Sequence, residues 1–283
     1  MTARVLDGKA VAKEVYADVA KAVSDRVARG GTRPQLATLL VGDDPASATY
    51  VALKQRNARS VGIESQDHRL PSSTTTEELL TLVDQLNRDE SVSAILVQQP
   101  MPTQIDVGRV IRALDPVKDV DGFHPVNAGL VALGLPGGIE PCTPAGIMLL
   151  LERSGIQIEG AHAVVVGRSN LVGKPTALLL LKRNATVTIC HTRTKELASH
   201  TRTADILVAA AGRANLISKE MVKPGSAVVD VSTNWVEGHQ VGDLGPGVDA
   251  VAGWLTPNPG GVGPMTRAML LKNTYQAEVR RRG

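Results

Sequence analysis

Aromatic side chains are almost missing from this sequence, which holds one Phe, two Trp and three Tyr in 283 residues. Any core must therefore rest on Val, Leu, Ile and Ala, and no aromatic residues interleave with basic ones as a nucleic-acid surface would require. The net charge of +3, part of it in Arg280-Arg281-Arg282, is too small to imply nucleic acid. Cys142 and Cys190 are the only cysteines, which excludes a disulfide framework and points to reduced thiols in the cytoplasm. The six histidines show neither His-x-x-x-His spacing nor a cysteine cluster, so no metal site is expected. No apolar run is long enough to span a membrane, and the first residues lack a secretory-type apolar segment. The expectation is a cytoplasmic protein with no membrane or nucleic-acid partner.

The length suffices for two ordinary domains. The most informative stretch is Ala163-Val-Val-Val-Gly-Arg-Ser-Asn-Leu-Val-Gly-Lys-Pro175. Its β-branched run suits a strand buried on both faces. Gly167 ends that strand, and Thr176 to Arg183 has helical composition. A strand, a glycine turn and a helix N-terminus with bare N–H groups form a phosphate cradle. The spacing Gly-x-Ser-x-x-x-Gly equally suits a plain structural turn. Ala185 to Cys190 reads as the next strand, and beyond it His191-Thr-Arg-Thr194 carries no carboxylate. A dinucleotide site that takes NAD usually holds an acidic residue there. Hydroxyls with Arg168 and Arg193 suit a 2′-phosphate instead, so NADP is expected over NAD; the alternative is that both arginines are merely solvated.

The rest alternates strand and helix. Val11 to Arg29 reads as a helix and Gln35–Val41 as a strand. A helix capped by Asp44 with Pro45 in its first turn follows, to about Ser60. Glu64–Leu70 is a more polar strand near an edge, and Thr75-Thr-Thr-Glu78 opens a helix with a capping box. Val92–Val97 is a third strand and Val107–Leu114 a short helix. From Asp115 to Thr143 no period is visible, which suggests a long irregular segment, a domain junction and a cleft wall. A connecting helix over 145–154 then leads into the second half, where Asp205–Ala211 and Ala227–Val231 bring the buried parallel strands there to at least four. Gly212 and Ser232 mark strand ends of the kind that hold ligands. Pro257 to Pro264 is a dense turn, and 266–282 a last helix able to pack back on the first domain. The expected fold is two α/β domains, the second a Rossmann-like doubly wound parallel sheet, with a cleft between them.

Four residues of the first half could carry chemistry. Tyr50 and Lys54 lie four apart and share a helix face, with Ser47 three before Tyr50. A lysine there is ordinarily solvated, yet one with a lowered pKa beside a phenol can act as general acid and base. Gln98 follows a strand and suits a simple strand-end cap as well as a site. Asp121-Gly122 suits an ordinary turn as well as a site. Residue types alone reach only a hydride-transfer enzyme for an unknown substrate.

Six blocks in order reach further: Ser47-x-x-Tyr-Val-x-x-Lys54, Val97-Gln-x-Pro-x-Pro102, Asp119-Val-Asp-Gly-Phe123, Pro141-Cys-Thr-Pro144, Gly167-Arg-Ser-x-x-Val-Gly-Lys-Pro175 and Pro259-Gly-Gly-Val-Gly-Pro-Met-Thr266. Together they resemble the bifunctional methylenetetrahydrofolate dehydrogenase and methenyltetrahydrofolate cyclohydrolase family. The resemblance implies oxidation of 5,10-methylenetetrahydrofolate with NADP, then hydrolysis of the methenyl cation to 10-formyltetrahydrofolate, in a homodimer that uses no metal. It implies that Lys54 relays protons for the hydrolysis and that Gln98 sets the state of Lys54. Tyr50 would border the folate, and Asp121 would accept hydrogen bonds from its pterin ring. Pro259, Gly260 and Gly261 would line the folate site. Gly167, Arg168 and Ser169 would form the dinucleotide turn, Thr192 would meet the 2′-phosphate, and Thr233 would touch the nicotinamide end with backbone. The implied division is 1–142 as folate-binding catalytic domain with 264–283 packed back on it, and 143–263 as NADP-binding domain. Gln99 and Met101 replace leucines usual in the family, and Ser232-Thr233 replaces Gly-Ile. Asn258 is a minor departure in the proline-glycine loop. The other classes are an NADP-dependent dehydrogenase for a different small substrate and a catalytically silent nucleotide-binding protein.

Overall fold

A computed structural model of the chain describes residues 2–282. Strand β1 is only Arg4–Val5, followed by helix α1 at Gly8–Ala28, strand β2 at Gln35–Val41 and helix α2 at Pro45–Ser60. Strand β3 (Glu64–Leu70), helix α3 (Thr76–Arg88), strand β4 (Ala94–Val97) and helix α4 (Val107–Ala113) continue the alternation. Helices α5 (Pro125–Ala132) and α6 (Cys142–Arg153) lead to strand β5 (His162–Val166), helix α7 (Gly173–Lys182), strand β6 (Thr186–Cys190) and helix α8 (Leu197–Thr201). Strands β7 (Ile206–Ala209), β8 (Ala227–Asp230), β9 (Asn234–Val236), β10 (His239–Val241) and β11 (Trp254–Leu255) precede helix α9 (Val262–Arg282).

The chain divides into two compact units, neither contiguous. One comprises residues 14–142 and 267–283 and holds a three-stranded parallel sheet in the order β3-β2-β4. Glu64–Leu70 lies at its edge, as the polar composition predicts, and β2 is buried along almost its whole length. Leu39, Leu79, Val83, Ile95 and Val110 form the core. Local chemistry sets the helix starts. The Asp44 carboxylate accepts from Ser47 N–H at 2.8 Å, and Thr75 with Glu78 forms the expected capping box. The end of α3 is closed by a buried lysine, because Lys118 Nζ donates to the carbonyls of Leu86 (2.8 Å), Asn87 (2.8 Å) and Asp89 (2.7 Å). Those acceptors have no partner inside the helix.

The irregular segment expected over 115–143 is not wholly irregular: α5 lies within it. Pro125 opens the helix with its fixed φ, and His124 Nδ1 accepts from Val126 N–H at 3.1 Å as a cap. With two turns and little polar face, this helix leaves no visible period.

The other unit comprises residues 1–13 and 143–266. Its sheet has six parallel strands in the order β1-β11-β8-β7-β5-β6, a doubly wound arrangement, and β9 and β10 form a separate antiparallel hairpin. Val164, Val165 and Val166 are buried on both faces, and Val164, Leu207, Val228 and Ile217 anchor a core cluster. The first thirteen residues group here rather than with the first half, since Arg4 and Val5 pair with Trp254 and Leu255. Two residues of strand pairing are too few to show in a sequence pattern.

Candidate active site

In the three-stranded unit, α2 presents Tyr50 and Lys54 one turn apart, and Tyr50 is exposed. Lys54 Nζ donates to Gln98 Oε1 at 2.9 Å. Gln98 is held from both ends. Its backbone N–H donates to Leu39 O at 2.9 Å, extending the β2–β4 ladder, and its side-chain amide donates to Gln99 O. The amide therefore turns its carbonyl oxygen to the lysine. Gln99 takes part here through its backbone, while Met101 packs on the unit's core.

Asp121 completes the cluster. Burial pushes its carboxyl up to about 6, an effect the Lys54 charge opposes and the Asp119 charge reinforces. The Cys142 thiol donates to Val120 O at 3.2 Å and lies beside the Asp121 carboxyl. Burial, then the charge of Asp121, hold that thiol well above its usual range, so it stays a protonated donor. Asn273 Nδ2 donates to Val120 O (2.9 Å) and Glu140 O (3.0 Å) and fixes the backbone on either side. Asp119, its carboxyl raised chiefly by burial, accepts from His124 N–H (2.7 Å) and Asn127 Nδ2 (3.0 Å). Asp121-Gly122 is thus no ordinary surface turn: Gly122 has φ of 70°, and a side chain there would strike the backbone of Ile139–Pro141. Cys142, Asn127 and Asn273 were not legible as site neighbours. Cys142 lies inside a recognisable block and Asn127 just after another, but nothing in the helix around Asn273 singles it out.

In the six-stranded unit, Gly167 follows β5 with φ of 135°, and a side chain there would collide with the Ala210 carbonyl beyond β7. A side chain at Gly173 would likewise meet Gly167. Both glycines are needed for the strand-to-helix turn to close. The bare N–H groups expected at the start of α7 are, however, largely taken up inside the turn. Ser169 Oγ accepts from Val172 (3.1 Å) and Gly173 (3.3 Å), Ser169 O accepts from Lys174 (3.1 Å), and Pro175 has no N–H. What faces solvent is the run Arg168, Ser169, Asn170 and Leu171. After β6, His191 N–H donates to Thr194 Oγ1 (2.8 Å) and Arg193 N–H to His191 Nδ1 (3.1 Å), leaving Thr192 and Arg193 exposed with no carboxylate in the turn. This donor set fits a 2′-phosphate and would not repel one. Thr233 is exposed between Ser232 and Asn234. Pro259 is exposed, whereas Gly260 and Gly261 are buried. The fold itself requires Gly261, since a side chain there would strike Thr256 and one at Gly8 would strike the Gly261 carbonyl.

Among the described residues, no group of three His, Cys, Asp or Glu could hold a metal ion, and no helix is long and apolar enough to cross a membrane. The structure brings Lys54, Gln98 and Asp121 together in one unit. It places Gly167, Arg168, Ser169, Thr192, Thr233 and Pro259–Gly261 in the other.

A doubly wound parallel sheet with a glycine turn and no acidic residue after its second strand, and a further α/β unit with a lysine–amide–carboxylate cluster, define a two-domain nucleotide-dependent enzyme. Residues 6–121 match the family model for the tetrahydrofolate dehydrogenase/cyclohydrolase catalytic domain, and residues 141–282 that for its NAD(P)-binding domain. The chain belongs to the tetrahydrofolate dehydrogenase/cyclohydrolase family. It is 54% identical over 279 residues to the bifunctional protein FolD of Moorella thermoacetica, covering 98% of this chain and 99% of that protein. The crystal structure of the bifunctional enzyme FolD from Campylobacter jejuni superposes with a TM-score of 0.96 at 45% identity, covering 98% and 99% of the two chains. The Trypanosoma brucei enzyme, solved with NADP cofactor and an inhibitor, gives 0.94 at 38% identity over all of both chains.

Proposed function

We propose that this chain oxidises 5,10-methylenetetrahydrofolate to 5,10-methenyltetrahydrofolate with NADP and then hydrolyses the product to 10-formyltetrahydrofolate. One observation carries the residue assignment: the Lys54 ammonium lies 2.9 Å from an amide oxygen fixed by the sheet, with Asp121 in the same charge cluster.

NADP, when bound, supplies the hydride acceptor for the first step. The chain's own residues do the rest. The Asp121 carboxylate accepts from pterin N–H donors and orients the ring. Tyr50 borders the folate. In the hydrolysis, water adds to the methenyl carbon and passes a proton to Lys54. The C–N5 bond then breaks and Lys54 returns a proton to N5. Of the two protons of water, one ends on N5 and the other leaves. Gln98 Oε1 accepts from Lys54 and aims it throughout. Arg168, Ser169 and Thr192 hold the phosphates, with Gly167 allowing close backbone approach. Thr233 meets the nicotinamide end through its backbone. Pro259, Gly260 and Gly261 line the folate site. The three-stranded unit is the folate-binding catalytic domain and the six-stranded unit the NADP-binding domain. The protein works in the cytoplasm as a homodimer and supplies one-carbon units for purine, histidine and methionine synthesis.

An absorbance assay with methylenetetrahydrofolate tests this directly. NADPH and the methenyl species are read separately, with NADP and NAD titrated in parallel. Both signals should appear, with NADP favoured. Equal use of NAD would remove the 2′-phosphate assignment, and absence of both signals would favour a silent nucleotide-binding protein.

A further inference from the structure

Asp243 lies two residues beyond β10 with 0% of its surface exposed. Its carboxylate accepts five hydrogen bonds. Oδ2 takes the N–H groups of Ala211 (2.6 Å) and Gly212 (3.1 Å) and the Ser232 hydroxyl (2.7 Å). Oδ1 takes Arg213 N–H (2.7 Å) and Asn234 Nδ2 (3.1 Å). Ser232 Oγ in turn accepts from Gly212 N–H at 3.0 Å. One buried carboxylate thus ties the loop after β7 to the loop after β8. A second, Asp230, anchors it from below, its Oδ1 accepting from the N–H groups of Asp243 (3.1 Å) and Ser232 (3.3 Å). Asn258 Nδ2 adds a bond to Ser232 O at 2.8 Å. Two positions that depart from the family pattern, Ser232 and Asn258, therefore belong to one network.

Burying an ionic group is costly unless every lone pair is met, and a set this complete fixes geometry more than it adds stability. The geometry fixed here is the carboxyl end of two sheet strands, where open α/β sheets bind ligands. Thr233 sits between the two residues, Ser232 and Asn234, whose side chains Asp243 holds.

We infer that Asp243 is a positioning residue for the hydride-transfer step: through Ser232, Asn234 and the 211–213 N–H groups it sets the loop that meets the nicotinamide end, with Ser232 as its chain-specific link. This rests on the proposed dehydrogenase reading.

The test uses the full-length protein and the variants Asp243→Asn and Ser232→Ala. Asp243→Asn should lower dehydrogenase kcat about 30-fold, the scale expected for a small misplacement of a reacting group. Its primary deuterium isotope effect with deuterated methylene carbon should rise. Cyclohydrolase turnover of preformed methenyltetrahydrofolate and affinity for 2′,5′-ADP, which probes only the adenosine end, should change by no more than about twofold. Ser232→Ala should show the same pattern at about threefold to tenfold. Unchanged dehydrogenase kcat and isotope effect in Ser232→Ala would overturn the inference, as would a parallel fall of every readout in both variants. Wild-type protein that cannot reduce NADP would overturn the dehydrogenase reading itself, whereas active wild type with unaffected variants would sink only the role of Asp243.

Discussion

Lys54, Asp121 and Cys142 show how one small cluster divides its work. The lysine faces an oxygen fixed by the sheet, and replacing its ammonium removes the proposed proton carrier that donates to Gln98. Lys54→Met should cut cyclohydrolase activity by about 10²- to 10⁴-fold while leaving the melting temperature unchanged; full hydrolysis by that variant would refute the assigned role. Asp121 makes a pH prediction whose sign follows from its raised carboxyl. The acceptor form fills only as pH rises through about 6, so the folate KM should climb as pH falls below that point. Stability runs the other way. Folding binds a proton between the ordinary carboxyl range and about 6, so this group favours the fold at the acid end and costs stability above its raised value. Asp121→Asn should therefore raise the neutral-pH melting temperature, raise the folate KM about 10- to 100-fold, and flatten the KM profile around pH 6.

At the scale of elements, local signals were legible and distant ones were not. The Asp44 cap, the Thr75–Glu78 capping box and the buried valines of β5 depend on neighbours in sequence and could be read directly. Helix α5 escaped because two turns rich in small and apolar residues leave no amphipathic stripe. Strands β1 and β11 escaped because two residues carry no period. In the site, the block residues Lys54, Gln98 and Asp121 were legible, but Asn273 and Asp243 owe their roles to backbone groups far away in the chain. Lys118 belongs with these, since nothing nearby in sequence shows that it closes α3. Lys118→Met should leave those carbonyls without their shared donor and cost about 3 kcal/mol in urea unfolding. A loss below about 0.5 kcal/mol would mean that other donors replace it.

At the scale of the whole molecule, each unit is assembled from two separated stretches of chain. The three-stranded unit needs residues 267–283. Asn273 secures the backbone beside Asp121, and the buried Glu278 accepts from the Ser93 hydroxyl at 2.7 Å and pairs with Arg26 at 3.1 Å. Deleting 267–283 should remove the cooperative unfolding transition of this unit in calorimetry together with cyclohydrolase activity. The point variant Asn273→Ala should stay folded and raise the folate KM, because the anchors to Val120 and Glu140 and the bond to Cys142 Sγ are lost. The same interleaving bears on how the protein is made. The ribosome releases all of 143–266 before the stretch that finishes the first sheet's unit, so the lysine cluster must wait, unfinished and open to chaperones or proteases, while the nucleotide unit is still emerging.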